Sequence, residues 1–230
     1  MSEFLSESAY FGVLISLAGY GLGALLKKRF KSPLFNPLLI SIILTIPMLL
    51  LLHIDYQTYY SGARYLSWLL TPATVALAVP LYEQFELLKH NAAAVIAGII
   101  AGVLSSLGSV LGLAVLFGFS HEEYITFLPK SITTAIGMGV SEELGGIVPI
   151  TAGVIIITGV LGNILGELVL KLFRIKEPVA KGIALGTSAH AIGTAKAMEL
   201  GEAEGAMSSL SIAVSGIITV AGAALFANLY

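Results

Sequence analysis

Two polar segments interrupt a chain otherwise made of long apolar runs, and the two are copies of one another. Residues 129–146 read PKSITTAIGMGVSEELGG, and residues 185–202 read LGTSAHAIGTAKAMELGE. Setting Ala135 against Ala191 superposes AIG on AIG, and Glu143-Leu144-Gly145 on Glu199-Leu200-Gly201, with no gap. A long apolar run follows each copy. Ionised side chains at membrane depth cost roughly 2.5–3.5 kcal/mol apiece on insertion scales. A chain that carries such groups twice, in matching places, is most simply one site built from two halves.

Only 11% of the 230 residues are charged, against about 25% in soluble domains. That fraction points to a polytopic membrane protein rather than a soluble fold. A net charge of −2 and the lack of a continuous Lys/Arg stripe exclude nucleic acid as a partner. Zero cysteines exclude disulfides, thiolate zinc and iron–sulfur clusters. His53, His90, His121 and His190 have no metal-ligand spacing, so neither a metal nor another cofactor is expected. Ser188 and His190 are too close in sequence for a nucleophile and its base, and no nucleophile elbow is present, so an enzyme is not expected. The N-terminus, MSEFLSES, lacks a basic region, so the first apolar stretch reads as a retained helix.

Apolar stretches are expected at residues 10–26, 33–53, 63–88, 91–117, 147–173 and 206–230. Asn36, Pro37, Pro72, Pro80 and Pro129 are expected to break them, and the Tyr-rich stretch 55–62 reads as an external loop. Basic clusters at Lys27-Lys28-Arg29-Phe30-Lys31 and at Lys171, Arg174, Lys176 and Lys181 both mark the cytoplasmic side. An even number of crossings must then separate them, yet five candidate segments intervene. One segment therefore does not cross: either the first polar copy is a re-entrant hairpin, or residues 63–88 fail to span. The first solution gives the two copies opposite orientation. The fold expected is an all-α polytopic membrane protein of about six to eight transmembrane helices, with broken or re-entrant segments arranged as inverted repeats, in one domain over residues 1–230.

Broken helices leave free N–H groups at one half-helix end and carbonyls at the other. Ser131, Thr133, Thr134, Thr187, Ser188 and Thr194 place hydroxyls there, and Gly193 allows close backbone approach. Lys130 adds a point charge, which completes a cradle for an anion. The alternative is that the hydroxyls bond back to their own helices and the glycines serve packing. His190 either carries a coupling proton or donates, neutral, to a carbonyl. Glu143 and Glu199 are either intramembrane carboxylates or interface residues one turn from helix-ending glycines. Glu202 and Glu204 read as a solvated loop. Gly98-x-x-x-Gly102 and Gly108-x-x-x-Gly112 would permit a homodimer.

The two copies, together with LLTPATVALAVPLYEQ at residues 69–84, resemble the LrgB/CidB family over nearly the whole chain. Those bacterial membrane proteins are labelled antiholin-like, and their plant relatives include the plastidic glycolate/glycerate translocator. The resemblance implies transport of small monocarboxylates such as glycolate, glycerate or pyruvate. With the residues read above, the expectation is a transporter in the cell (inner) membrane in which His190, with Glu143 as second choice, carries a coupling proton. It equally implies a small, separately encoded LrgA/CidA-like membrane partner, and the antiholin label implies control of murein hydrolases and lysis. An uncoupled anion channel is a third reading.

Overall fold

Long apolar runs can satisfy their backbone in lipid only by coiling on themselves. Accordingly, the described residues form helices and connections, with no strand among them. The structure is a computed structural model that describes residues 10–30, 32 and 35–230. Five stretches among them are long and apolar enough to cross a membrane: Phe11–Phe30, Tyr56–Glu83, Ala92–Phe117, Val148–Leu172 and Glu202–Ala227. Pro37–Leu51 is a shorter apolar helix. The chain divides into two compact units, Met1–Ala76 and Leu77–Tyr230.

The first unit holds α1 (Phe11–Phe30), α2 (Pro37–Leu51), α3 (Tyr56–Ser67) and α4 (Leu70–Ala76). Lys27, Lys28 and Arg29 close α1, whereas Lys31 and Pro33 lie outside the described residues. Asn36 and Pro37, expected as a break, instead start α2. The Asn36 side chain accepts the N–H groups of Leu38 and Leu39 at 2.9 and 3.1 Å, and Pro37 occupies the first turn, where its missing donor costs nothing. The stretch expected as an external loop is helical from Tyr56 onward. Its polar composition suggested a loop, but packing overrides it: α1 brings Gly12 against the Tyr59 carbonyl and Ala63, and Ser16 bonds the Tyr59 hydroxyl at 2.7 Å. Pro72 sits within the first turn of α4, so the chain breaks just ahead of it, at residues 68–69.

The second unit comprises α5 (Ala78–Glu83), α6 (Phe85–His90), α7 (Ala92–Phe117), α8 (His121–Phe127), α9 (Thr134–Leu144), α10 (Val148–Leu172), α11 (Pro178–Leu200) and α12 (Glu202–Ala227). Pro80 lies in the first turn of α5, and the break again precedes it, at Leu77. The helices α7, α10 and α12, of 26, 25 and 26 residues, are each about 38 Å long, enough to span a bilayer. They run between two ends of the unit. At one end the Tyr124 hydroxyl donates to the Phe226 carbonyl at 2.9 Å, and that of Tyr230 to the Phe119 carbonyl at 2.5 Å. At the other, Lys181 pairs with Glu204 at 3.3 Å and Lys196 with Glu167 at 2.9 Å. Between them lies an apolar core that includes Ile99, Leu107, Ile125, Leu128 and Met207.

Candidate functional site

The first polar copy doubles back on itself. Ser120 and Glu123 cap α8 reciprocally, and α8 ends at Leu128. Non-helical chain through Pro129 then leads to Thr133, from which α9 returns. The legs are antiparallel: Gly137 on α9 lies against the Pro129 carbonyl, while Thr126 and Ser141 share the hydroxyl of Thr151. Thr151 donates to the Thr126 carbonyl at 2.9 Å, and Ile147 N–H donates to the Thr126 hydroxyl at 2.8 Å. These bonds lash the mouth of the hairpin to the N-terminal end of α10. The tip carries Lys130, Ser131 and Thr133.

The second copy doubles back within α11. Ala189 (φ −131°, ψ 17°) and His190 (φ 42°, ψ −137°) leave helical conformation and split it into residues 178–188 and 191–200. A Cβ on Gly193 would meet the Leu185 carbonyl oxygen at 2.5 Å and the Ala189 methyl at 2.7 Å, contacts that only a reversal of direction allows. The mouth of this hairpin faces the C-terminal end of α10, where Leu170 packs with Leu185 and Ala197. With Ala135 aligned on Ala191, Thr133–Thr134 corresponds to Ala189–His190. The two return legs therefore restart within a residue of each other in the alignment, and both end at a Glu-Leu-Gly.

The two tips reach the same depth from opposite ends, and each long helix meets both of them. On α7, Gly102 lies against Thr187, and Ser106, one turn further, donates to Ser131 at 2.9 Å. On α10, Ile155 extends its side chain against Gly137 and its carbonyl to His190 Nε2 at 2.9 Å. On α12, Ser211 packs on Gly186, and Gly216 packs on Ile136. A carbonyl only accepts, so Nε2 of His190 carries the hydrogen. Both return legs present N-termini at this depth, and Thr133 makes no side-chain cap on α9. Lys130 Nζ donates to Ser131 at 3.0 Å and to Ser106 at 3.3 Å. It has no carboxylate partner among the described residues. A half-buried cation beside exposed N–H groups, with no counter-charge, is an environment suited to an anion. A cavity of about 530 Å³ runs from Asn91 and Glu177 at one mouth along α7 to Gly102, Ser105 and Thr187.

A family model described as "LrgB-like family" matches residues 16–229. The chain belongs to the LrgB-like family. It is 40% identical over 212 residues to "Antiholin-like protein LrgB" of Bacillus mycoides (strain KBAB4), an alignment that covers 92% of each chain. The proteins of the same name from Bacillus cereus (strain B4264) and Bacillus anthracis (strain CDC 684 / NRRL 3495) match to the same extent. No solved structure matches. Family and apolar helices together make this a multi-pass membrane protein.

Within this LrgB-like chain, the structure brings Lys130, Ser131, Thr133 and Thr134 to one tip and Thr187, Ser188, His190, Gly193 and Thr194 to the other. Several hydroxyls are spoken for. Thr187 donates to Ile183 at 2.8 Å and Ser188 to Ala184 at 2.6 Å, the back-bonding alternative. Thr194 bonds the His190 carbonyl and Ser208, and Gly193 serves the close packing of the legs. Glu143 is not at the tips: it is exposed in the last turn of α9 beside the left-handed cap Gly145. Pro129 does mark a break. Glu204, expected in a solvated loop, is buried in the first turn of α12 against Lys181. Gly98 and Gly102 are used inside the chain against Ile183 and Thr187, whereas Gly108 and Gly112 have nothing within 4 Å. Ser106 and Ser208 escape a sequence reading because serines in an apolar helix rich in Gly and Ala look like packing.

Proposed function

We propose that this LrgB-like protein is a secondary transporter of small monocarboxylates, which bind between the two opposed tips. The observation that carries this reading is Lys130, a half-buried ammonium with hydroxyl neighbours and no carboxylate beside it among the described residues. An ionised carboxylate accepts only, so it can take charge-assisted bonds from Lys130 Nζ, the Ser131 hydroxyl and the uncapped N–H groups of α9. Thr187 and Ser188, already donating to their own helix, bind less directly. His190 is the candidate proton carrier: Nε2 is fixed on the Ile155 carbonyl, which leaves Nδ1 to gain and lose a proton. Glu143, at the exposed mouth of its hairpin, has no part in coupling. No bond is made or broken, so the activity is transport rather than catalysis. The cell membrane, the inner one where there are two, is the proposed location.

The second reading is an antiholin-like modulator acting with a small LrgA/CidA-like membrane partner, and the names of the relatives fit it better than they fit small-acid transport. Purified protein reconstituted alone in liposomes separates the two. Under the transport reading, short monocarboxylates raise the melting temperature by several degrees at saturating concentration, and the chain alone accumulates them. Lys130→Ala abolishes both effects while melting cooperatively without ligand. Equal stabilisation of Lys130→Ala would refute the site. Flux that appears only with the partner present favours the modulator, and flux without accumulation favours an uncoupled channel.

A further inference from the structure

At the mouth of the second hairpin, the C-terminal end of α10, the connection to α11 and the last residue of α11 enclose a pocket of about 380 Å³. Its floor is apolar, made by Leu170, Ile175 and Leu200, and its rim carries four cations, Lys171, Arg174, Lys176 and Lys181, against one carboxylate, Glu167. Two of the rim cations already have partners: Lys171 pairs with Glu167 at 2.8 Å and Lys181 with Glu204 at 3.3 Å. Arg174 and Lys176 are exposed and have no acidic partner among the described residues.

The backbone holds Arg174 in place at some cost. Ile175 N–H donates to the Leu170 carbonyl at 2.9 Å and Arg174 N–H to Lys171 at 3.1 Å, which is the closing pattern that ends many helices. The residue at its corner takes a left-handed conformation, here Arg174 with φ 55°. Glycine is the usual occupant, and a side chain there is strained. Cations near a helix C-terminus also meet the negative end of its dipole, which accounts for part of the clustering. It does not account for a preformed apolar pocket beneath them. Next to the pocket, Leu168, Leu172 and Phe173 are 63%, 73% and 70% exposed at the end of a helix long enough to span the bilayer, and so face acyl chains.

We propose that this pocket seats the head group of an anionic phospholipid. Arg174 and Lys176 bind its phosphate, with Lys171 and Lys181 alongside. The glycerol backbone rests on Leu170, Ile175 and Leu200, and the acyl chains run down the outer face of α10. The charge complementarity calls for an anion, and the continuity with lipid-facing Leu172 and Phe173 calls for an amphiphile rather than a soluble acid. Because the pocket touches α10 and both legs of the hairpin, a bound lipid clamps the mouth opposite the tip. The proposal stands independently of the transport reading.

The experiment is native mass spectrometry of the full chain in neutral detergent, titrated with phosphatidylglycerol, phosphatidylcholine or soluble glycerol phosphate, with melting temperature read in parallel. Phosphatidylglycerol should bind and raise the melting temperature, whereas phosphatidylcholine should do neither. The double variant Arg174→Gln, Lys176→Gln should weaken phosphatidylglycerol about thirtyfold. Lys89→Gln, which removes an exposed cation outside the pocket, should leave binding unchanged. Wild-type affinity in the double variant overturns the site. Equal binding of phosphatidylcholine overturns the charge argument, and displacement of the lipid by equimolar glycerol phosphate overturns the amphiphile. Should the double variant fold poorly, Leu200→Trp, which fills the floor, must exclude the lipid while leaving the cations in place.

Discussion

Gly159 on α10 is where His190 of the second tip is packed against a long helix, and adding one methyl there tests that contact. A Cβ at Gly159 would lie 2.7 Å from His190 Cε1, 2.8 Å from Nε2 and 2.8 Å from the Ile192 terminal methyl. Ordinary contact is about 3.5–4.0 Å, so the imidazole must retreat by roughly 1 Å. That movement breaks the 2.9 Å bond from Nε2 to the Ile155 carbonyl. Overpacking costs about 1–3 kcal/mol and the lost bond about 1 kcal/mol. Alanine's helix propensity returns about 1 kcal/mol. Gly153, two turns earlier on the same helix, has nothing within 4 Å and gains only the propensity. Gly159→Ala should therefore melt below wild type and Gly153→Ala at or above it. At roughly 2–4 °C per kcal/mol, the two should differ by on the order of 10 °C. The assay is thermal unfolding in detergent by intrinsic fluorescence, with carboxylate uptake measured on the same preparations. Matching melting temperatures for the two variants would refute the packed tip.

Thr151→Val should open the first hairpin at its mouth, because one hydroxyl serves both Thr126 and Ser141. A loss of about 1–3 kcal/mol, with proteolysis appearing between α9 and α10, is the expected readout. Glu204→Gln should cost about 2 kcal/mol, as Lys181 keeps a partly buried charge without its partner. Adding Lys181→Met should recover part of that loss in a double-mutant cycle. Glu123 lies below its ordinary carboxylate value because the Ser120 N–H and hydroxyl donate to it. A depressed value contributes stability above the unfolded-state value and loses it as pH falls. Glu123→Gln should flatten the acid side of the melting-temperature profile.

The duplication was the most legible feature of the sequence, and it located both breaks: polar residues at matching places demand matching departures from helix. The parity of basic clusters left either the first copy or residues 63–88 as the segment that does not cross, and the chain reverses between Leu128 and Thr133. Less legible was anything set by tertiary packing. The Tyr56–Ser67 helix was hidden by its polar composition, because nothing local announces that Gly12 makes room for it. The burial of Glu204 depends on Lys181, 23 residues away in sequence and on the other side of the hairpin. Lys130 was recognisable as a charge out of place, but its serine neighbour on α7 was not. Glu143 looked functional through its pairing with Glu199, and both sit in last turns, each two residues before a glycine that ends the helix.

The opposed-tip geometry is tested most directly by a disulfide across the first tip, which the natural absence of cysteine makes clean. Ser106 Oγ and Ser131 Oγ are 2.9 Å apart, from the middle of α7 to the turn of the hairpin. The double variant Ser106→Cys, Ser131→Cys should cross-link on mild oxidation in native membranes and survive as a proteolysis-resistant link between α7 and the hairpin. Ser109→Cys paired with Ser131→Cys, one turn along α7, should link far less. Efficient bonding at Ser106 and Ser131 is the result this account requires. No bond at that pair, or equal bonding at both, would place the first polar copy away from the middle of α7 and contradict it.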